Sequence, residues 1–310
     1  MEKTYVALSS DSSRDYSFIL PFTALFWKNL INFDPIVILV GDWSSKKSQI
    51  VLNFFNKIGI PFNLINSQIG DSNGNPIEGL EFCGGNYQVC NLAQNVREHT
   101  ATIIDDDNTW LMPGDADLWP LKINFYQQHF YSSSKAICYY ANGDHFHSKE
   151  AVLDAVRNKK DYQSIPTCHV AMKVKTWKEL YKYESKDIMQ CTVKTLDKWL
   201  KPKVIGKQPG QASWESWMSD QRILTENLCN ANWFPKEVTL INRNGHPPSD
   251  RLDRGNLQDW NNIDFSRYTD AHLLRVPEEK WNLIKPLIAH YLPTYLDMAN
   301  DYQKEYIETN

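Results

Sequence analysis

Apolar and polar positions along the chain fall into two periods, and the order in which those periods alternate predicts the architecture. Residues 4–8 (TYVAL) form a short apolar run that ends at Ser9-Ser10-Asp11, a strand meeting a polar loop. Residues 17–31 carry apolar side chains at helical spacing, with Pro21 near the start, where a missing N–H is tolerated. Residues 35–40 (PIVILV) are a continuous β-branched run stopped by Gly41-Asp42, the pattern of a parallel strand buried on both faces. A helix over 46–58, a strand over 61–65, a helix over 86–98 and a strand over 109–113 follow. Strands separated by helices predict an α/β fold, Rossmann-like, with a mostly parallel sheet flanked by helices.

Beyond residue 121 the pattern loosens. Strands are expected at 136–142 and 168–174, and helices at 176–184, 187–200 and 218–229. A polar loop rich in Gly, Pro and Arg spans Asn242–Asn256, and a helix over 278–291 is expected to close the domain. With no internal repeat and no low-complexity linker, the chain reads as one domain in two halves, 1–121 and 122–300. Residues 301–310 are charged or polar and read as a frayed tail.

In open α/β sheets ligands bind beyond the carboxyl ends of the strands. Asp11, Asp42 and the pair Asp115/Asp117 all follow predicted strands, so they should share one edge. Asp115-Ala116-Asp117 is the central constellation: two carboxylates one residue apart in a turn offer hard oxygen ligands to Mg²⁺ or Mn²⁺ with positions left for phosphate oxygens. The same spacing at Asp105 and Asp107 reads as a solvated loop, whereas Asp117 runs into the apolar Leu118-Trp119-Pro120-Leu121.

With those flanks the segment resembles the Asp-x-Asp motif of GT-A-fold glycosyltransferases, which transfer a sugar from a nucleoside-diphosphate sugar. The resemblance implies a GT-A-like domain with a nucleotide half (1–121) and an acceptor half (122–300), and Asp115 and Asp117 as metal ligands, Asp115 also touching the donor. Ser9-Ser10-Asp11 looks like the family's base-binding loop and Val40-Gly41-Asp42 like its second edge; Gln88 and Arg97 lie where such enzymes contact the nucleotide. Arg97 reads equally well as a surface cation. Asp220-Gln221 resembles the late Asp-Gln pair near the acceptor, making Asp220 a candidate general base with Glu215 as its competitor; a helix N-cap at Ser219 or Asp220 is the structural alternative. Arg251-Leu252-Asp253-Arg254 and Asp270-Ala271-His272-Leu273-Leu274-Arg275 resemble the C-terminal segment of the glycosyltransferase domains of large algal viruses. That likeness implies His272 as a third metal or diphosphate ligand, and Arg251, Arg254 and Arg275 as phosphate contacts. Their other readings are a packed histidine and ordinary ion-pair partners. The implied reaction moves a sugar, from a UDP-sugar by preference or a GDP-sugar, to an acceptor hydroxyl of a glycan, with Mn²⁺ or Mg²⁺ bound.

Composition narrows the alternatives. A formal charge of −4 and a pI near 6.1, with no dense Lys/Arg cluster, exclude a nucleic-acid partner. The cysteines sit at wide spacings and build no zinc knuckle, which predicts free thiols. The polar N-terminus resembles no signal peptide, and Phe18–Phe33 is too broken to span a bilayer, so a soluble cytoplasmic protein is expected. A haloacid-dehalogenase-type phosphatase places its Asp-x-Asp near the N-terminus and continues with Gly or Thr, unlike this chain. A sugar nucleotidyltransferase opens with a Gly-rich loop, where this chain has Ser9-Ser10-Asp11-Ser12-Ser13-Arg14. A non-catalytic nucleotide-sugar binder on the same fold is the remaining rival. Residues 122–212 match nothing in the comparison; Asp144, His145 and His147 fall there as loop residues.

Overall fold

The computed structural model describes residues 2–65, 86–141, 165–199, 219–243, 248–254, 260, 263–273, 278 and 280–309. Among them, ten strands form two sheets. The larger has seven strands: β1 (Thr4–Ser10), β2 (Asp34–Val40), β3 (Phe62–Ile65), β4 (Trp110–Pro113), β6 (Ala136–Ala141), β7 (Val170–Lys173) and β8 (Val238–Asn242) in the order β3-β2-β1-β4-β7-β6-β8. β3, β2, β1 and β4 are mutually parallel, β7 runs antiparallel to β4 and β6, and β8 is parallel to β6. The expected mostly parallel α/β architecture is what the chain builds.

The continuous apolar runs of β1 and β2 are explained by burial on both faces. Val6, Leu8, Val37 and Leu39 point into one core with Phe22, Phe26 and Trp27, whereas Ala7, Ile38 and Val40 point to the opposite side. Helix α1 (Leu20–Leu25) continues as a π-helical turn, Phe26–Ile31, that ends on Asn32 in the left-handed region, and every residue of α1 is buried. The described α-helices of eight residues or more are α2 (Lys46–Lys57), α3 (Asn86–His99), α4 (Val174–Tyr181), α5 (Ile188–Trp199), α6 (Ser219–Asn230), α7 (Trp281–Tyr291) and α8 (Leu296–Glu308).

Several elements differ from expectation. The run Leu118-Trp119-Pro120 is a strand, β5 (Leu118–Pro120), that pairs antiparallel with β10 (Asp270–His272), and β10 pairs in parallel with β9 (Arg251–Asp253). This small sheet draws on distant stretches, and strands of three residues are too short to show a period of two. The C-terminal segment is not frayed: α8 runs to Glu308, and Tyr302 and Tyr306 are buried. Phe18 stacks on Tyr302 at 4.8 Å between ring centroids, and the Tyr302 hydroxyl donates to the Phe18 carbonyl. The polar residues that suggested a tail are the solvent face of an amphipathic helix. Among the described residues no helix is long and apolar enough to cross a membrane.

Gly41, which turns the chain after β2, has φ +97°, and a Cβ there would lie 2.6 Å from Val89 Cγ1 on α3. Gly41→Ala is expected to destabilise the chain by about 2 kcal/mol, combining left-handed strain with the clash. Urea unfolding of the variant within about 0.5 kcal/mol of wild type would contradict that steric account.

Candidate functional site

The strand order reverses direction at β1: β2 continues the sheet on one side and β4 on the other. That switch point leaves a crevice at the carboxyl edge. A cavity of about 210 Å³ occupies it. Ser9, Ser10 and Asp11 arrive from the end of β1, Asp115, Ala116 and Asp117 from the loop after β4, and Tyr16 from the turn that follows β1. Cys90, Ala93, Gln94 and Arg97 line the same cavity; their spacing of three, four and seven residues is one face of α3. Asp220 and Gln221 come from the first turn of α6, His272 from β10 of the small sheet, and Arg254 from the residue after β9. Asp42 lies on the same edge but outside the cavity lining: it is exposed and accepts from the Ser44 amide at 2.8 Å.

Arg97 is no surface cation. Its side chain is 6 % exposed, and its guanidinium donates through Nη1 to Asp115 Oδ1 and to the Gly114 carbonyl (2.8 Å), and through Nη2 to Asp220 Oδ2 (2.8 Å). It thereby ties the carboxylate loop to α6. Burial pushes the Asp115 carboxyl up, but the charge and hydrogen bond of Arg97 outweigh it and hold the group at about 2. Asp220 has the opposite balance. Burial raises it to about 6, with Arg97 pulling down and the Asp115 charge pushing up. Two carboxylates sharing one arginine have been driven apart, the pattern that separates acid–base roles.

Asp117 faces the other way. Its Oδ2 accepts from Arg254 Nη1 at 3.1 Å and lies 3.3 Å from His272 Nε2. His272 Nδ1 lies 3.1 Å from Asp253 Oδ2. Burial lowers the His272 pKa, but the two carboxylate partners outweigh it and raise it to about 9. β-pairing sets this geometry: His272 lies opposite Leu118 of β5 and Asp253 of β9, and the Leu273 amide donates to the Asp117 carbonyl at 2.8 Å.

Donor chemistry and spacing test whether these residues suit a divalent cation. The 3.3 Å between Asp117 Oδ2 and His272 Nε2 is close to the separation of adjacent ligands on an octahedral ion, about 3.0 Å for bonds of about 2.1 Å. Asp253 on Nδ1 is the outer carboxylate that a ligating histidine usually has. Asp115 is turned instead to Arg97, and among the described residues no group of three or more His, Cys, Asp or Glu side chains stands ready to hold a metal. The donor chemistry and spacing of Asp117 and His272 suit a hard cation, whereas Asp115 is engaged with Arg97.

Arg251 does not reach the cavity lining. Its Nε donates to Asp270 Oδ1 at 2.7 Å, and its Nη2 to His169 Nε2 at 2.9 Å. With Nε2 accepting, the other ring nitrogen carries the proton and donates to Cys168 Sγ at 2.9 Å, and the thiol in turn bonds Asp115. Burial lowers His169 to about 4, which keeps the imidazole neutral for that role. Ser9 Oγ and Ser10 Oγ donate to the carbonyls of Ala93 and Asp11, so β1 offers the cavity mainly backbone and the Asp11 carboxylate. Glu215 and Arg275 lie outside the described residues, as do Asp144, His145 and His147, and so does the side chain of Gln88. Sequence reasoning missed Tyr16, Cys90, Gln94, Cys168, His169 and Asp253. The helical spacing from Arg97 back to Cys90 was a usable signal; nothing local marks the others.

No family model and no curated protein matches the sequence. Among solved structures the chain is similar to the galactosyltransferase LgtC in complex with donor and acceptor sugar analogues, at 12 % identity, 99 % of this chain and 96 % of that one covered and a TM-score of 0.46. It is similar to the bifunctional glycosyltransferase WbbM at 11 % identity, with 98 % and 52 % covered and a TM-score of 0.47. A third is mouse xyloside xylosyltransferase 1, at 10 % identity, with 88 % and 97 % covered and a TM-score of 0.38.

Proposed function

We propose that the chain is a metal-assisted glycosyltransferase, moving a sugar from a nucleoside-diphosphate sugar, UDP-sugar by preference and GDP-sugar as the alternative base, to an acceptor hydroxyl of a glycan. The observation that carries this reading is the Asp115-Ala116-Asp117 loop at the switch point of the sheet, with Asp117 against Arg254 and His272. A Mn²⁺ or Mg²⁺ ion held by Asp117 and His272, with Asp115 joining as Arg97 shifts, would neutralise charge on the departing diphosphate. Arg254 and Asp11 line the same cavity, where the guanidinium would meet the phosphate oxygens and the carboxylate would accept from the base or ribose. Asp220 is the candidate base for the acceptor proton: buried, ionised near neutral pH, and oriented by Arg97.

A thermal-shift panel of UDP-, GDP- and dTDP-sugars, each with and without Mn²⁺, tests the reading. A ligand at a hundredfold excess over its Kd stabilises the native state by about 2.7 kcal/mol. One nucleotide family should give a shift that requires the metal. Because His272 must lose its proton to accept a cation, that metal-dependent part should grow as pH rises towards about 9. No shift with any donor would remove the proposal, and a shift without turnover on the same sample would leave a binding protein.

A further inference from the structure

Every carbonyl of the carboxylate loop has a partner. Gly114 O accepts from Arg97 at 2.8 Å, Asp115 O from the Leu118 amide at 3.4 Å, and Asp117 O from the Leu273 amide at 2.8 Å. The fourth, Ala116 O, lies between the two carboxylates and accepts from a side chain on a different element: Thr23 Oγ1 of α1, at 2.5 Å. Thr23 is fully buried, and its only other acceptor among the described residues, the Ile19 carbonyl one helical turn back, is at 3.3 Å. The same oxygen accepts from the indole Nε1 of Trp119 at 2.9 Å. Trp119 is also fully buried; it stacks on Phe26 with ring centroids 4.4 Å apart, and its strand β5 begins one residue after Asp117.

We propose that Thr23 is a positioning residue for the paired carboxylates, its hydroxyl pinning the Ala116 carbonyl while the Trp119 indole pins the hydroxyl. The relay runs indole N–H to hydroxyl oxygen, then hydroxyl O–H to carbonyl, so one threonine uses both its donor and an acceptor site. The peptide plane of Ala116 sets the directions in which Asp115 and Asp117 leave the backbone. With that plane fixed, Asp115 turns to Arg97 and α6 while Asp117 turns to Arg254 and His272. A buried polar residue in an otherwise apolar helix is accounted for: Leu20, Phe22, Ala24 and Leu25 fill the core, and Thr23 holds the loop. The role rests on the donor-site reading above for its consequence, not for its geometry.

Thr23→Val keeps the branched shape and removes the hydroxyl; Thr23→Ser keeps the hydroxyl. Two readouts on each variant test the proposal: amide hydrogen exchange of residues 114–118, and calorimetric titration of Mn²⁺ with UDP. Thr23→Val should speed exchange in that loop while leaving the amides of β1 and β2 as in wild type. It should also weaken Mn²⁺–UDP binding by about tenfold or more, the usual loss when an outer support of a metal site is removed. Thr23→Ser should restore both. Unchanged loop exchange in Thr23→Val overturns the pinning. Faster exchange with wild-type affinity overturns the positioning role. A wild-type chain that binds neither UDP nor GDP in the presence of Mn²⁺ removes the donor-site reading and this role with it, an outcome seen before any variant is made; where GDP is the nucleotide bound, the same titrations are run with GDP.

Discussion

Asp117→Asn should lower turnover by about 10³-fold or more and abolish the Mn²⁺-dependent part of the donor-induced thermal shift. The amide keeps the size and one acceptor oxygen of the carboxylate but removes the charge that faces His272 and Arg254. In the proposed reaction that charge is what holds a cation against the departing diphosphate, the electrostatic term expected to be largest. The fold should survive. Arg254 and His272 keep 32 % and 23 % of their side-chain surface in solvent, so losing their partner is screened and costs about 1 kcal/mol. Steady-state kinetics and a urea titration on the same preparation decide the matter, and wild-type turnover in the variant would sink the mechanism. Asp115 is the less clean target. Its removal leaves the buried Arg97 with Asp220 as its remaining carboxylate partner among the described residues, so lost turnover would be confounded with lost structure.

That difference between two carboxylates one residue apart was not legible in the sequence. What was legible followed from periodicity. β1, β2, β4 and the helices between them repeat an apolar run or an apolar face long enough to be counted, and parallel pairing then brings Asp11 and Asp115–Asp117 to one edge. The short strands β5, β9 and β10 carry three residues each, and the pairing of β5 with β10 depends on contacts across more than a hundred positions. No local pattern encodes that. Consequently His272 and Arg254 were legible as residue types, whereas the arrangement that faces them to Asp117, with Asp253 behind His272, was not. Arg97 and Arg251 show the same limit in both directions. Equivalent as cations in the sequence, one is folded into the cavity wall and the other into a buried ion pair with Asp270.

Asp270→Asn should be the most destabilising of these substitutions, at about 3–5 kcal/mol. Asp270 is fully buried on β10, directly opposite Arg251 of β9. Its oxygens accept from Arg243 Nη1 (2.6 Å) and Nη2 (3.3 Å), from Arg251 Nε (2.7 Å) and Nη2 (3.3 Å), and from the Tyr126 hydroxyl at 3.1 Å. Asp250, bonded to Arg243 Nε at 2.9 Å, supplies a second anion nearby. Neutralising Asp270 therefore leaves two buried guanidiniums sharing an amide that can accept from them with only one of its two ends. The pH dependence has a definite sign. Burial alone would raise the Asp270 pKa, but the charges and hydrogen bonds of Arg251 and Arg243 hold it well below its usual 3.8. A depressed folded-state pKa gives stability that is present above the unfolded value and lost as pH falls below it. The gap between wild type and Asp270→Asn should thus be full at pH 7 and narrow progressively below about pH 4. Guanidinium unfolding of both proteins across that range measures it, and a gap under about 1 kcal/mol at neutral pH would mean that the arginines find other partners. If the gap is as large as expected, the variant should also lose donor binding. Asp270 anchors the strand that presents His272, and the small sheet that carries Asp253 and Arg254 depends on the same ion pair.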